Sequence, residues 1–147
     1  MPRISTITRV LLGLGFLVFS LNYFLPFLPA QEAPPPAAMG FIGTFVTSGF
    51  LTFVKVIELA MAILLLSNRF VPLATAVLAP IVVGIVMFHV LLAPAGMPIA
   101  GVFLALLLAV AWSYRAAYAA MLRARVEPAA TTRVPAPVQG ARSANVT

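Results

Sequence analysis

The sequence contains no cysteine, no aspartate and only one histidine. Without cysteine there are no disulfides, no thiol redox centre, no iron–sulfur ligation and no Cys-based zinc site. One histidine, His89, cannot supply both axial ligands of a bis-histidine haem. Charge is also scarce: 8% of the 147 residues are Asp, Glu, Lys or Arg, and the acidic ones are Glu32, Glu58 and Glu127 alone. So few charged side chains could not cover the surface of a soluble domain of this length.

What is present is apolar. The chain is 63% hydrophobic with a mean hydropathy of +1.11, which places it among integral membrane proteins. The net charge of +6 does not point to nucleic acid. Its basic residues sit at the ends of apolar runs and form no stripe along one folded face, which is the membrane pattern.

A helix needs about 20 apolar residues to cross a hydrocarbon core of roughly 30 Å. Residues 7–28 form the first such span, punctuated by Pro26 and Pro29. Residues 70–92 and 99–118 form two more, separated by A-P-A-G-M-P. The stretch between the first and these is too long for one simple crossing. In residues 41–50, Phe41, Ile42, Phe45, Val46 and Phe50 share one helical face and Gly40, Gly43, Thr44, Thr47 and Ser48 fill the other. That pattern predicts an interfacial helix over about 37–49, a break at Gly49, and a span over 51–66. A single tilted helix over 41–66 is the alternative. The fold class is therefore all-α: a four-helix transmembrane bundle in residues 1–125 with a short interfacial helix between spans one and two. Residues 126–147 are rich in Pro, Ala and Thr without apolar periodicity and read as a disordered cytoplasmic tail.

Arginines orient the spans. Arg3 and Arg9 open span one, Arg69 lies in loop two, and Arg115, Arg123, Arg125, Arg133 and Arg142 end or follow span four, whereas loops one and three carry no basic residue. A multi-pass protein with both termini cytoplasmic fits the positive-inside rule. A cleaved signal peptide ending at L-P-A before Gln31 leaves three spans and fits the same arginines, although its first cleavage position is not small.

The remaining basic residue, Lys55, lies in F-V-K-V-I-E-L-A-M-A together with Glu58, three residues away on the same helix face. With Leu51 at the outer boundary, Lys55 lies about 6 Å deep and Glu58 about 10 Å, so lysine can snorkel outward and glutamate cannot. Asn22, beside Tyr23, lies about 9 Å and His89 about 5 Å from the outer ends of their spans by the same rise. Asn22, Tyr23, Lys55, Glu58 and His89 thus form a candidate polar pocket in the outer half of the bilayer. Each has a plainer reading: Lys55 and Glu58 neutralise one another, Asn22 bonds between helices, and His89 bonds a carbonyl of the Ala93–Pro98 turn. Small residues recur at Gly101, Ala105, Ala109 and Ser113 on span four and at Ala76, Pro80 and Gly84 on span three, which predicts close helix approach there. Trp112, Tyr114 and Tyr118 mark the inner interface.

Several of these segments resemble the DoxX family of small bacterial membrane proteins. They are R-V-L-L-G-L-G-F-L-V-F-S-L-N-Y in span one, V-K-V-I-E-L-A-M-A-I-L-L-L in span two, A-P-I-V-V-G-I-V-M-F-H-V in span three and A-W-S-Y-R-A-A-Y at the end of span four. The resemblance covers about residues 9–122, and I-E-L and F-H are its most specific parts. It implies a four-helix transmembrane bundle in the bacterial inner membrane, with the family glutamate at Glu58 and the family histidine at His89. Family members often carry a lysine near Asn22; here the lysine is Lys55. The family takes its name from a subunit of a thiosulfate:quinone oxidoreductase, which implies a quinone ligand and a membrane redox partner or a stress-response role. Three functions follow as expectations: an outward-facing pocket for a small amphiphile or partner subunit, a proton-coupled carrier or enzyme using Glu58 and His89, and a structural subunit without a ligand. No nucleophile constellation, metal cluster or phosphate loop accompanies them.

Overall fold

The computed structural model describes residues 2–29, 33–119 and 121. Glu32 and the tail expected over 126–147 lie outside them. Every regular element among the described residues is helical: α1 (Pro2–Phe24), α2 (Pro36–Thr47), α3 (Phe50–Leu66), α4 (Val71–Leu91), a 3-10 turn at Pro94–Gly96, α5 (Met97–Ser113) and α6 (Arg115–Tyr118).

Local chemistry explains the boundaries. Proline lies in the first turn of α2, α4 and α5, where its missing N–H is one no helix could have bonded. Pro80 sits inside α4 without ending it. α1 stops at Phe24, four residues before the predicted end at 28, because the Asn22 side chain takes the N–H groups of Phe27 and Leu28 into a turn. Span four is likewise shorter than expected: α5 ends at Ser113, and a non-helical Tyr114 separates it from α6.

α2 and α3 meet at 80° across Ser48 and Gly49, so the stretch is two helices and not one rod. Gly49 has φ of 75°, a left-handed conformation that costs a residue with a side chain about 1–2 kcal/mol. Glycine is what lets the chain turn this corner.

Three helices are long and apolar enough to cross a membrane, and up to four if the bent α2–α3 pair counts as one span. In the apolar windows of α1, α4 and the Pro94–Ser113 segment only 28%, 28% and 17% of residues are buried. Their outward faces, including Leu11, Val18, Leu73 and Val83, are therefore as apolar as their inner ones. Water would not tolerate such a surface, and a bilayer requires it.

The core is shared by α1, α3, α4 and α5. On α1 the buried residues Arg9, Leu12, Gly13, Phe16 and Ser20 fall on one stripe at helical spacing. α3 runs antiparallel along it, since Arg9, Ser20 and Tyr23 meet Leu65, Glu58 and Thr52 in reverse order. Two glycines allow the close approach. A Cβ at Gly13 would stand 3.0 Å from Leu66 Cγ, and one at Gly15 would stand 2.8 Å from Phe103 Cζ on α5. Phe16 packs edge-on against Phe103 at 4.8 Å between ring centres. These contacts correct the expected packing faces. Gly101, Ala105 and Ser113 of the span-four stripe are exposed, and neither Gly101 nor Gly84 has a neighbour that a Cβ would meet. The bundle instead turns Ala100, Leu107 and Val110 of α5 inward, and buried small residues lie at Gly13 on α1, Ala62 on α3 and Ala74 on α4.

At the opposite end from the α2–α3 corner, Arg9 is 7% exposed and its guanidinium donates to the carbonyls of Leu65 and Leu66. These carbonyls lie in the last turn of α3, where a cation favours the helix dipole. Arg9 therefore joins α1 to α3 as well as marking a basic end of the chain. Tyr118 reaches the carbonyl of Pro72, and Arg115 stacks over Trp112 at 5.3 Å.

Candidate functional site

Where α1 ends, α3 begins, α4 ends and α5 begins, the helices enclose a cavity of about 580 Å³ beneath α2. Phe16, Phe41, Phe45, Phe50, Phe88 and Phe103 supply much of its wall. Phe41 faces Phe88 across 5.8 Å, so α2 is tied to α4, and Phe45 meets Phe50 edge-on at 5.1 Å across the corner. Three of the expected polar residues line this cavity: Lys55, Glu58 and His89.

Glu58 is 2% exposed. Its Oε2 accepts from Lys55 Nζ at 2.7 Å and from Ser20 Oγ at 3.0 Å. A lone carboxylate within a membrane helix costs about 2.5–3.5 kcal/mol on insertion scales, and here a cation and a hydroxyl offset that cost. Lys55 is thus drawn along its own helix to Glu58; the outward snorkelling that its depth allows is not the conformation it takes. Ser20 joins the site although neither charge nor depth marks it in the sequence. Its signal was present: it continues the stripe of Leu12 and Phe16 one turn further, so it had to face the bundle.

His89 Nδ1 lies 2.9 Å from the carbonyl oxygen of Ala93. A carbonyl only accepts, so Nδ1 carries the proton. Gly96, on the 3-10 turn, lies flat against the ring: a Cβ there would overlap the imidazole. The histidine thus both bonds the turn, as its plainer reading had it, and faces the cavity. Among the described residues no hydrogen bond joins Glu58 to His89.

The other two expected residues lie elsewhere. Asn22 Oδ1 accepts from the backbone of Phe27 and Leu28 at 3.0 and 2.8 Å, which makes it a turn cap. Tyr23 shares a hydrogen bond of 2.6 Å with Thr52, tying α1 to α3 above the cavity. Neither lines the cavity. Among the described residues no group of His, Asp and Glu is arranged to hold a metal ion. No protein-family model matches this chain, and neither a curated protein nor a solved structure does.

Proposed function

We propose that this chain is a DoxX-like, four-span protein of the bacterial cytoplasmic membrane whose cavity binds a small amphiphile. In this reading α2 lies in the outer interface and roofs the cavity, α3 is the second span, and both termini are cytoplasmic. The I-E-L and F-H resemblance and the placement of the arginines support it. The observation that carries it is the cavity itself. Its volume lies in the range of small-molecule sites, its walls are aromatic, and a few polar groups converge on it. A quinone-linked redox or stress-response system, with a membrane partner, is the setting that the family resemblance suggests.

One observation favours a second reading. Ser20, Lys55 and Glu58 satisfy one another, which is what polar residues acting as glue between helices do. Purification in mild detergent followed by native mass spectrometry separates the two. The amphiphile reading expects a co-purifying lipid-like molecule that Gly84→Phe displaces. Gly84 lines the cavity, and a Cβ there meets nothing within 4 Å, so the larger side chain fills ligand space without a clash near its base. A protein free of any such molecule, or one whose molecule survives Gly84→Phe, leaves the structural reading in its place.

A further inference from the structure

From the hydrogen-bonding groups left open in the cavity we infer that its ligand is an uncharged amphiphile whose head donates a hydrogen bond, such as a phenol or another hydroxyl-headed molecule. This inference rests on the amphiphile reading and specifies the chemistry of that same site.

The first step is charge. Lys55 Nζ stands 2.7 Å from Glu58 Oε2, so cation and anion already compensate one another at the cavity wall. Bringing an anionic head beside a carboxylate, or a cationic one beside an ammonium, adds a like-charge contact where the surroundings screen it poorly. A neutral head avoids both.

The second step is the balance of donors and acceptors. Both protein donors to Glu58 address Oε2. Among the described residues no protein group donates to Oε1. Among the described residues no buried side-chain oxygen lacks a partner, so Oε1 is not sealed off; it keeps accessible surface, and the residue that carries it lines the cavity. A carboxylate oxygen can only accept. His89 adds a second acceptor. With Nδ1 committed to the Ala93 carbonyl, Nε2 of the neutral ring is the nitrogen with a free lone pair. An open carboxylate oxygen and an open imidazole nitrogen ask for a donor. A head with only carbonyl or ether oxygens would leave both unmet.

The third step is shape. Beyond these groups the wall is phenylalanine and aliphatic side chains, suited to a ring or a hydrocarbon tail.

The geometry also dictates what Glu58→Gln does. Ser20 and Lys55 both donate to one oxygen, so the amide oxygen must remain there and the amide nitrogen takes the place of Oε1. The variant keeps its internal bonds and changes the open group from acceptor to donor.

The test uses the full-length protein in phosphatidylcholine nanodiscs and three probes that share one octylphenyl body: para-octylphenol, its methyl ether, and para-octylbenzoate. Binding is measured by isothermal titration calorimetry. The phenol is expected to bind about tenfold or more tighter than the ether, as a hydrogen bond to a charged group implies. Glu58→Gln should lower that ratio severalfold, because the phenol loses its charged acceptor and keeps only the imidazole nitrogen. Equal binding of phenol and ether by the unaltered protein overturns this inference and leaves the amphiphile reading standing. Tightest binding of the benzoate overturns it in favour of anion recognition by Lys55. Binding of none of the three overturns both.

Discussion

The hydroxyl of Ser20 on α1 donates to the carboxylate of Glu58 on α3 across 3.0 Å, in a position where Ser20 is fully buried and Glu58 nearly so. Hydrogen bonds between membrane helices average about 0.6 kcal/mol in double-mutant cycles and reach about 1.7. This one belongs near the upper end, because its acceptor is charged. Ser20→Ala is expected to cost about 1–2 kcal/mol in reversible unfolding in bicelles. A Ser20→Ala protein as stable as the original would show that Lys55 alone satisfies the carboxylate.

Lys55 and Glu58 should stand or fall together. Lys55→Met alone leaves a buried carboxylate short of its cation, and such breaks cost about 3–5 kcal/mol. Replacing both residues with Met should restore most of that stability, because removing a buried pair whole is often neutral. The double variant should nonetheless lose the ligand. If it keeps the ligand, the pair is a packing device only.

Gly96→Ala tests how His89 is placed. The added Cβ overlaps the imidazole, so the ring must leave the Ala93 carbonyl or the 3-10 turn must shift. Nitrogen-15 NMR of the single histidine should report loss of the Nδ1 hydrogen bond, and ligand affinity should fall. An unchanged imidazole spectrum would mean that the turn gives way instead.

Gly49→Ala should strain the corner between α2 and α3. The expected loss is about 1–2 kcal/mol for a side chain at φ of 75°. Spin labels at the exposed Met39 and Val83 should show a broader distance distribution as α2 loosens over the cavity. A distribution as narrow as in the original protein would show that the Phe41–Phe88 contact alone holds α2 down.

Topology is checked by reporters. One fused after Arg125 is expected in the cytoplasm, and one inserted near Pro35 outside. The reverse result would overturn the arginine-based orientation.

Much of the fold is written locally. The apolar runs, the prolines at helix starts and Gly49 at the corner set the number and order of helices, because run length, a missing N–H and a positive φ act within a few residues of themselves. The inward face of α3 was also legible: Glu58, Ala62 and Leu65 follow helical spacing, and all three are buried. The role of Asn22 was not. Depth placed it level with Glu58, but an asparagine two residues from a helix end can serve either a neighbouring helix or its own backbone, and here the backbone of Phe27 and Leu28 lies within reach.

The sequence by itself thus determined a set of apolar helices with a charged pair inside, since hydrophobicity and periodicity belong to each segment alone. Only the tertiary structure decided that Ser20 meets Glu58, that Arg9 caps α3, that Gly13 and Gly15 rather than the stripe on α5 admit their neighbours, and that His89 rests on Gly96. Each of these contacts joins different elements of the chain. Which residues meet there depends on how each helix is rotated and shifted against the next, and that is set by side chains packing across the whole bundle at once.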